Sequence, residues 1–302
     1  MGGVKGYPQF SIQDGGLQIR SRILDCDTKP FCAGKFGTSE METLFCALNG
    51  MSFSPQCEKN MFINAGLFGS KGQTVRSTLE DWAKYIMENR RLLDEMVQWN
   101  PIHVIQEDGF IRDYMNHIPK VLPLRALEPF YQQIPWTLAL QNGLPFCAVS
   151  PFKESIEKQW TKYQFLFPTP IWSMSPDFRG CVATGYSPSL CDSTEACAWS
   201  PEIIEKGWFS AVESVVDQCV ALGVKFVFVG AGALSLPICF ELKKRGISSV
   251  HTGGGTQIIF GVRGTRWSNH SIISRFFNQS WVFPSEKEIP SKSHLVEGGC
   301  YW

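Results

Sequence analysis

The stretch Val224-Lys225-Phe226-Val227-Phe228-Val229 runs into Gly230-Ala231-Gly232, then into an apolar-periodic segment that reaches Arg245. Gly246 stops that segment, and a short strand is expected at 249–251. A β-branched and aromatic run, a glycine turn, a helix and another strand make one crossover unit. Its two strands must pair in parallel, joined by a right-handed connection. A chain built around such a unit is an α/β protein.

The remaining segments agree. Residues 31–36 and 146–149 read as buried strands. Met41, Leu44, Phe45 and Leu48 recur at helical spacing, as do Ile156, Gln159, Trp160 and Tyr163. Leu79, Trp82, Ile86, Leu93 and Val97 form one stripe, which predicts a single helix over 79–97 ended by Pro101, with a short strand at 102–105. Another helix is expected to open at Pro201, to carry Trp208, Val212, Val215, Cys219 and Leu222 on one face, and to close at Gly223. The expected architecture is a Rossmann-like, mostly parallel sheet flanked by helices, one domain over 30–302, behind a polar irregular arm at 1–29.

Composition narrows the function. Lys plus Arg and Asp plus Glu both number 28, so no basic surplus exists to displace counterions from nucleic-acid phosphates. Hydrophobic residues make up 44% of the chain, enough to bury a full core. No apolar run is long enough for a membrane span, and residues 1–7 lack the apolar core of a secretory signal, so a cytoplasmic location is expected. The 11 cysteines show neither Cys-x-x-Cys nor His-x₃-His spacing, which argues against structural zinc. Most should be reduced and buried, with Cys191 and Cys197 the pair most open to oxidation.

Four segments could carry chemistry. In the first, Gly230, Ala231 and Gly232 lie between a strand and a helix, where backbone can approach a phosphate. Ser235 stands where a dinucleotide fingerprint has its third glycine, and the next strand ends in His251 and not in an acid. Both departures argue against NAD and S-adenosylmethionine. The second, His251-Thr252-Gly253-Gly254-Gly255-Thr256-Gln257, follows the next strand; its glycines could leave N–H groups free to form an anion-binding concavity. His251 could donate to a phosphate or act in acid–base chemistry, or simply be satisfied by backbone. The third, Gly34-Lys35-Phe36-Gly37-Thr38-Ser39-Glu40, again ends a strand and starts a helix. Thr38 or Ser39 is a natural N-cap, Lys35 could face a diphosphate, and Glu40 could be a general base or metal ligand. A carboxylate in a helix's first turn is also favoured by the helix dipole without any function. The fourth, 150–155, places Lys153 and Ser155 at another helix start. Asn64, Arg266 and Trp267, with the Glu297–Trp302 segment, are polar, glycine and aromatic clusters that could line a sugar pocket.

Taken together, GKFGTSE (34–40), NAGLF (64–68), LEPFYQQIPWTLAL (127–140), SPFKESIEKQW (150–160), the segment 229–267, WVFPSEKEIP (281–290) and VEGGCYW (296–302) resemble a family of bacterial and algal-virus proteins classed as GT-D-fold glycosyltransferases. The resemblance implies transfer of a sugar from a nucleoside-diphosphate donor, UDP-linked and carrying xylose or rhamnose, to a hydroxyl of a glycan acceptor. Better-known members carry R-[FY]-G-D-G-E where this chain has Lys35, Phe36, Gly37, Thr38, Ser39 and Glu40. Thr38 replaces the aspartate of the Asp-x-Glu pair, so Mg²⁺ or Mn²⁺ would rest on Glu40 alone, and metal should matter less here. The G-P-T-[AG] loop and D-x-G-H strand end of the family look like Gly230–Ala233 and His251–Gly254 in this chain.

The resulting expectation makes Glu40 the base, with His251 and Asp108 in reserve. Donor contacts would come from Lys35, Gly37, Thr38, Ser39, Lys153, Ser155, Gly230, Ala231, Gly232, Gly253, Gly254, Gly255 and Gln257. On that reading Glu40→Gln should lower transfer at least about a hundredfold without harming the fold. Gly232→Val should harm donor binding more than stability. Two rivals are a Rossmann-type methyltransferase and a nucleotide-sugar-binding module without turnover.

Overall fold

The computed structural model describes residues 10–98, 120–141, 143–193 and 197–302. Seven strands form one parallel sheet: β1 (Cys32–Phe36), β2 (Glu95–Gln98), β3 (Lys120–Pro123), β4 (Phe146–Ser150), β5 (Phe178–Ala183), β6 (Phe226–Val229) and β7 (Ser248–His251). Their order across the sheet is β3-β2-β1-β7-β6-β4-β5, and every pair runs in parallel. The expected α/β fold with a Rossmann-like parallel sheet is what forms.

Alternation along the central strands builds the two cores. Phe226 and Phe228 of β6, with Phe146 and Ala148 of β4, point into one layer; Val227, Val229, Cys147 and Val149 point into the other. Every residue of β6 and β4 is buried, because helices cover both faces. Helices Thr38–Leu48, Val75–Asn89, Trp208–Ala221 and Ser235–Lys244 cover the valine side. Helices Ile12–Leu24, Lys153–Trp160 and Gly255–Ile259, with the C-terminal turns, cover the phenylalanine side.

The connections leaving β4 and β6 therefore diverge. The chain leaves β4 through helix Lys153–Trp160 on one face towards β5, and leaves β6 through helix Ser235–Lys244 on the other face towards β7. Such a divergence opens a crevice beyond the carboxyl ends of the two strands, the usual ligand position in an open α/β sheet.

Several local expectations are corrected. The supposed arm contains the helix Ile12–Leu24, which Ser11 caps; Gly15, Gly16, Ile19 and Ile23 are buried on it. A Cβ on Gly15 would stand 2.6 Å from the Ala126 Cβ, so this pair of small residues sets how closely the helix docks. The stripe over 79–97 is split: the helix ends at Asn89, and Glu95–Gln98 is β2, a strand the helical period masked. Pro101, the expected strand at 102–105 and Asp108 lie outside the described residues. The helix opened by Pro201 breaks at Gly207, whose φ of 88° belongs to the left-handed region, and a new helix starts at Trp208. Cys191 and Cys197 are both buried; Cys300 is the only half-exposed thiol among the described cysteines. No helix of the described residues is long and apolar enough to cross a membrane.

Candidate functional site

The crevice beyond β4 and β6 is the mouth of a cavity of about 390 Å³. It extends across the carboxyl ends of β7 and β1. The loops after these four strands supply Ser150–Phe152, Gly230–Gly232, His251–Gly255 and Gly37–Glu40 to its lining. Asn60 and Asn64 form one wall from a single π-helical turn, closed by the Ala65 amide donating to the Asn60 carbonyl at 2.8 Å. Trp267, Tyr301, Trp302 and Tyr186 supply an aromatic part of the lining.

The C-terminal segment is part of that lining. Arg266 pairs with Glu297 at 2.6 Å and donates to the Tyr301 hydroxyl at 3.0 Å. Gln257 Nε2 donates to the Tyr301 carbonyl at 3.1 Å, and Trp302 Nε1 to the Glu288 carbonyl at 3.1 Å. Gly254 matters here: a Cβ would stand 3.0 Å from the Tyr301 ring and 3.2 Å from Trp267, which lets both rings close on the backbone.

The floor is ionic. Lys35 leaves β1 and lies over Gly253, where a Cβ would stand 2.5 Å from its Nζ. Burial lowers the Lys35 pKa, and the charges of Glu128 and Glu40 act against that shift. Glu40 folds back over Gly37, the residue that begins helix Thr38–Leu48. Burial raises its pKa, while the N–H groups of Glu40 and Gly37 and the charge of Lys35 pull it down. Glu128, between two 3₁₀ turns at Leu124–Leu127 and Pro129–Tyr131, is pushed up to about 7 by burial, against the pull of Lys35 and Arg125. His251 is pushed down to about 3, first by burial and then by the positive Lys35; its Nδ1 lies 3.2 Å from the Val229 carbonyl. A neutral imidazole results, with its Nδ1 side satisfied by backbone.

The expected site residues are largely brought together. Lys35, Gly37, Thr38, Ser39, Glu40, Asn64, Gly230, Ala231, Gly232, His251, Gly253, Gly254, Gly255, Gln257, Arg266 and Trp267 all line this cavity. Lys153 and Ser155 do not. Lys153 is half-exposed beside Glu157 at 3.8 Å, and Ser155 is buried, its amide and hydroxyl both bonded to the Glu288 carboxylate. Their helix start is capped from within the protein.

The glycine loops also differ from expectation in what their N–H groups do. Gly230 N donates to the Val149 carbonyl at 2.9 Å, and Ala231 N to Ser235 Oγ at 2.8 Å. Gly253 N donates to Val229 and Gly255 N to Thr252, which satisfies two of the three donors of the glycine triplet internally. Neither Thr38 nor Ser39 is the N-cap; Gly37 is, without a side-chain cap bond, and Glu40 reaches back in its place. Sequence reasoning missed Glu128 as a site residue. Its only signal was membership of the 127–140 segment, since an isolated glutamate between two turns carries no periodicity.

Among the described residues no three His, Cys, Asp or Glu side chains are placed to hold a metal ion. Glu40, on which a metal would rest, is folded back over Gly37. No family model, curated protein or solved structure matches this chain.

Proposed function

We propose that the protein is a glycosyltransferase that moves a sugar from a nucleoside-diphosphate sugar to a hydroxyl acceptor. The observation that carries this reading is the juxtaposition in one 390 Å³ cavity of the Lys35 ammonium, half-buried carboxylates and an aromatic wall. The cavity is of a size that takes a small ligand. Each part has a task in sugar transfer. The departing diphosphate gathers negative charge, which an ammonium in a site shielded from water meets strongly. The acceptor hydroxyl must lose a proton, which a carboxylate of raised pKa takes well near neutral pH. Trp267, Tyr301 and Trp302 offer flat apolar faces to a sugar or base ring, and Asn60 and Asn64 in the same lining offer partners for hydroxyl groups.

The test is a thermal-shift screen against UDP-, GDP- and TDP-sugars and S-adenosylmethionine, each with and without chelator. Donor at 100 times its dissociation constant stabilises the fold by about 2.7 kcal/mol. A shift with one nucleotide-sugar group, retained in chelator, is the expected result. A shift with S-adenosylmethionine alone would overturn the reading in favour of a methyltransferase.

A further inference from the structure

Among the described residues, three side-chain carboxylates line the cavity: Glu40, Glu128 and Glu297. Two of them are engaged. Glu297 accepts from Arg266 at 2.6 Å and lies 3.3 Å from the Cys300 thiol. Glu40 is folded back against Gly37 at the start of its own helix, where a Cβ would collide with its Oε2. His251 has its Nδ1 against Val229, and Lys35 disfavours its protonation.

Glu128 differs from all of these. Its side chain stands over Gly255, with Oε1 3.6 Å from where a Cβ would be, and no described residue makes a hydrogen bond to its carboxylate. Its backbone is fixed nonetheless. The turn before it buries Ala126 and Leu127 and is tied by Trp136 Nε1 to the Ala126 carbonyl at 3.1 Å. Gln132 Nε2 holds the Arg125 carbonyl at 3.1 Å, and the Tyr131 amide returns to the Glu128 carbonyl at 3.1 Å. A firmly mounted, half-buried carboxylate whose oxygens have no hydrogen-bond partner among the described residues is placed to receive a proton from something bound beside it.

We infer that Glu128 is the catalytic base of the proposed transfer, accepting the acceptor hydroxyl proton, while Glu40 caps the helix that carries the floor of the site. The inference rests on the glycosyltransferase reading. As the acceptor oxygen forms its bond to the anomeric carbon, its proton passes to a Glu128 oxygen. The bond from that carbon to the diphosphate oxygen breaks, and its electron pair leaves with the nucleoside diphosphate, beside Lys35. The groups facing Glu128 are the cations Lys35 and Arg125 and the phenol Tyr131, whose own pKa Glu128 raises. Both cations favour the ionised, proton-accepting form, against the burial that raises its pKa.

The experiment measures release of nucleoside diphosphate from the donor that binds best, with water and a set of simple glycosides as acceptors, across pH 5–9, beside calorimetric donor binding. Glu128→Gln should bind donor like the wild type and lose turnover by about 10²–10⁴-fold. The wild-type rate should rise with pH through a limb near neutrality, and Glu128→Gln should lose that limb. Glu128→Ala should regain part of its rate in added formate, which a merely structural role would not allow. Wild-type turnover with Glu128→Gln unchanged overturns this assignment and leaves the transferase reading standing. Absence of any nucleotide-sugar binding by the wild type overturns both.

Discussion

Gly232 packs directly on Ala65. A Cβ at Gly232 would collide with the Ala65 carbonyl oxygen and stand 2.9 Å from its carbonyl carbon, while the next residue, Ala233, donates its amide to that same oxygen at 2.8 Å. Gly232 also holds a φ of 54°, a conformation that a side chain resists. The loop after β6 is thus pinned to the π-helical wall of the cavity, and Trp82 Nε1 ties the same loop to the valine-side core through the Ala233 carbonyl at 2.9 Å. Gly232→Ala should therefore destabilise the protein by about 1–3 kcal/mol, read as a lower urea midpoint at unchanged slope. The folded fraction should retain its donor affinity. A variant of normal stability that has lost donor binding would return this glycine to the phosphate role that the sequence suggests.

What the sequence disclosed and what it hid differ by the range of the contacts involved. The unit around β6 and β7 was legible because strand period, glycine turn and helix stop are all local. β2 was not, because Leu93 and Val97 happen to continue the period of Leu79, Trp82 and Ile86, and only pairing with β1 and β3 decides between helix and strand. Most of the cavity lining was legible because strand ends in a parallel sheet converge. The state of each group was not. Satisfaction of Gly253 by Val229, occupation of Ser155 by Glu288, and the position of Glu128 over Gly255 depend on residues two dozen to more than a hundred positions apart.

Glu40→Gln tests the structural role of its carboxylate. The amide keeps the volume but removes the negative charge from the first turn of helix Thr38–Leu48, where Gly37 brings no capping side chain. Burial of the charge outweighs the pull of the helix start, so stability should change by less than about 1 kcal/mol. The pH dependence of turnover should survive, in contrast with the hundredfold loss that follows if Glu40 were the base. Loss of turnover with its pH limb abolished would restore Glu40 as the proton acceptor.

Glu128 should also leave a signature on stability. Its folded-state pKa is about 7 against 4.5 for an unperturbed carboxyl, so the native state holds a proton that the unfolded chain releases. The contribution is fully present below about pH 4.5 and is lost as pH rises through about 7. His251 acts in the opposite sense: with a folded pKa of about 3, it costs stability below its usual value of 6.5. Subtracting the curve of Glu128→Gln from that of the wild type isolates the first group. The difference should decline between pH 4.5 and 7 and then flatten. A flat difference throughout that window would mean that the carboxylate is solvated as in the unfolded chain.

Lys35 and Lys153 give a contrast that tests where the proposed donor's diphosphate would sit. Both lie near helix starts after parallel strands, and both were expected to face the donor. Lys35 lies on the cavity floor against Gly253; Lys153 is half-exposed and pairs with Glu157 outside the cavity. A hydrogen bond to a charged group is worth about 1.5–3 kcal/mol, so Lys35→Met should weaken UDP binding by about 10- to 150-fold. Lys153→Met should leave binding unchanged, because its charge is exposed to solvent and screened. Removing Lys35 also removes a cation that lowers the Glu128 pKa, so the neutral limb of the rate profile should move to higher pH. Calorimetric titration of UDP into both variants, beside their rate profiles, decides the matter. Equal affinities for the two variants would remove Lys35 from the phosphate site and place the diphosphate elsewhere along the cavity.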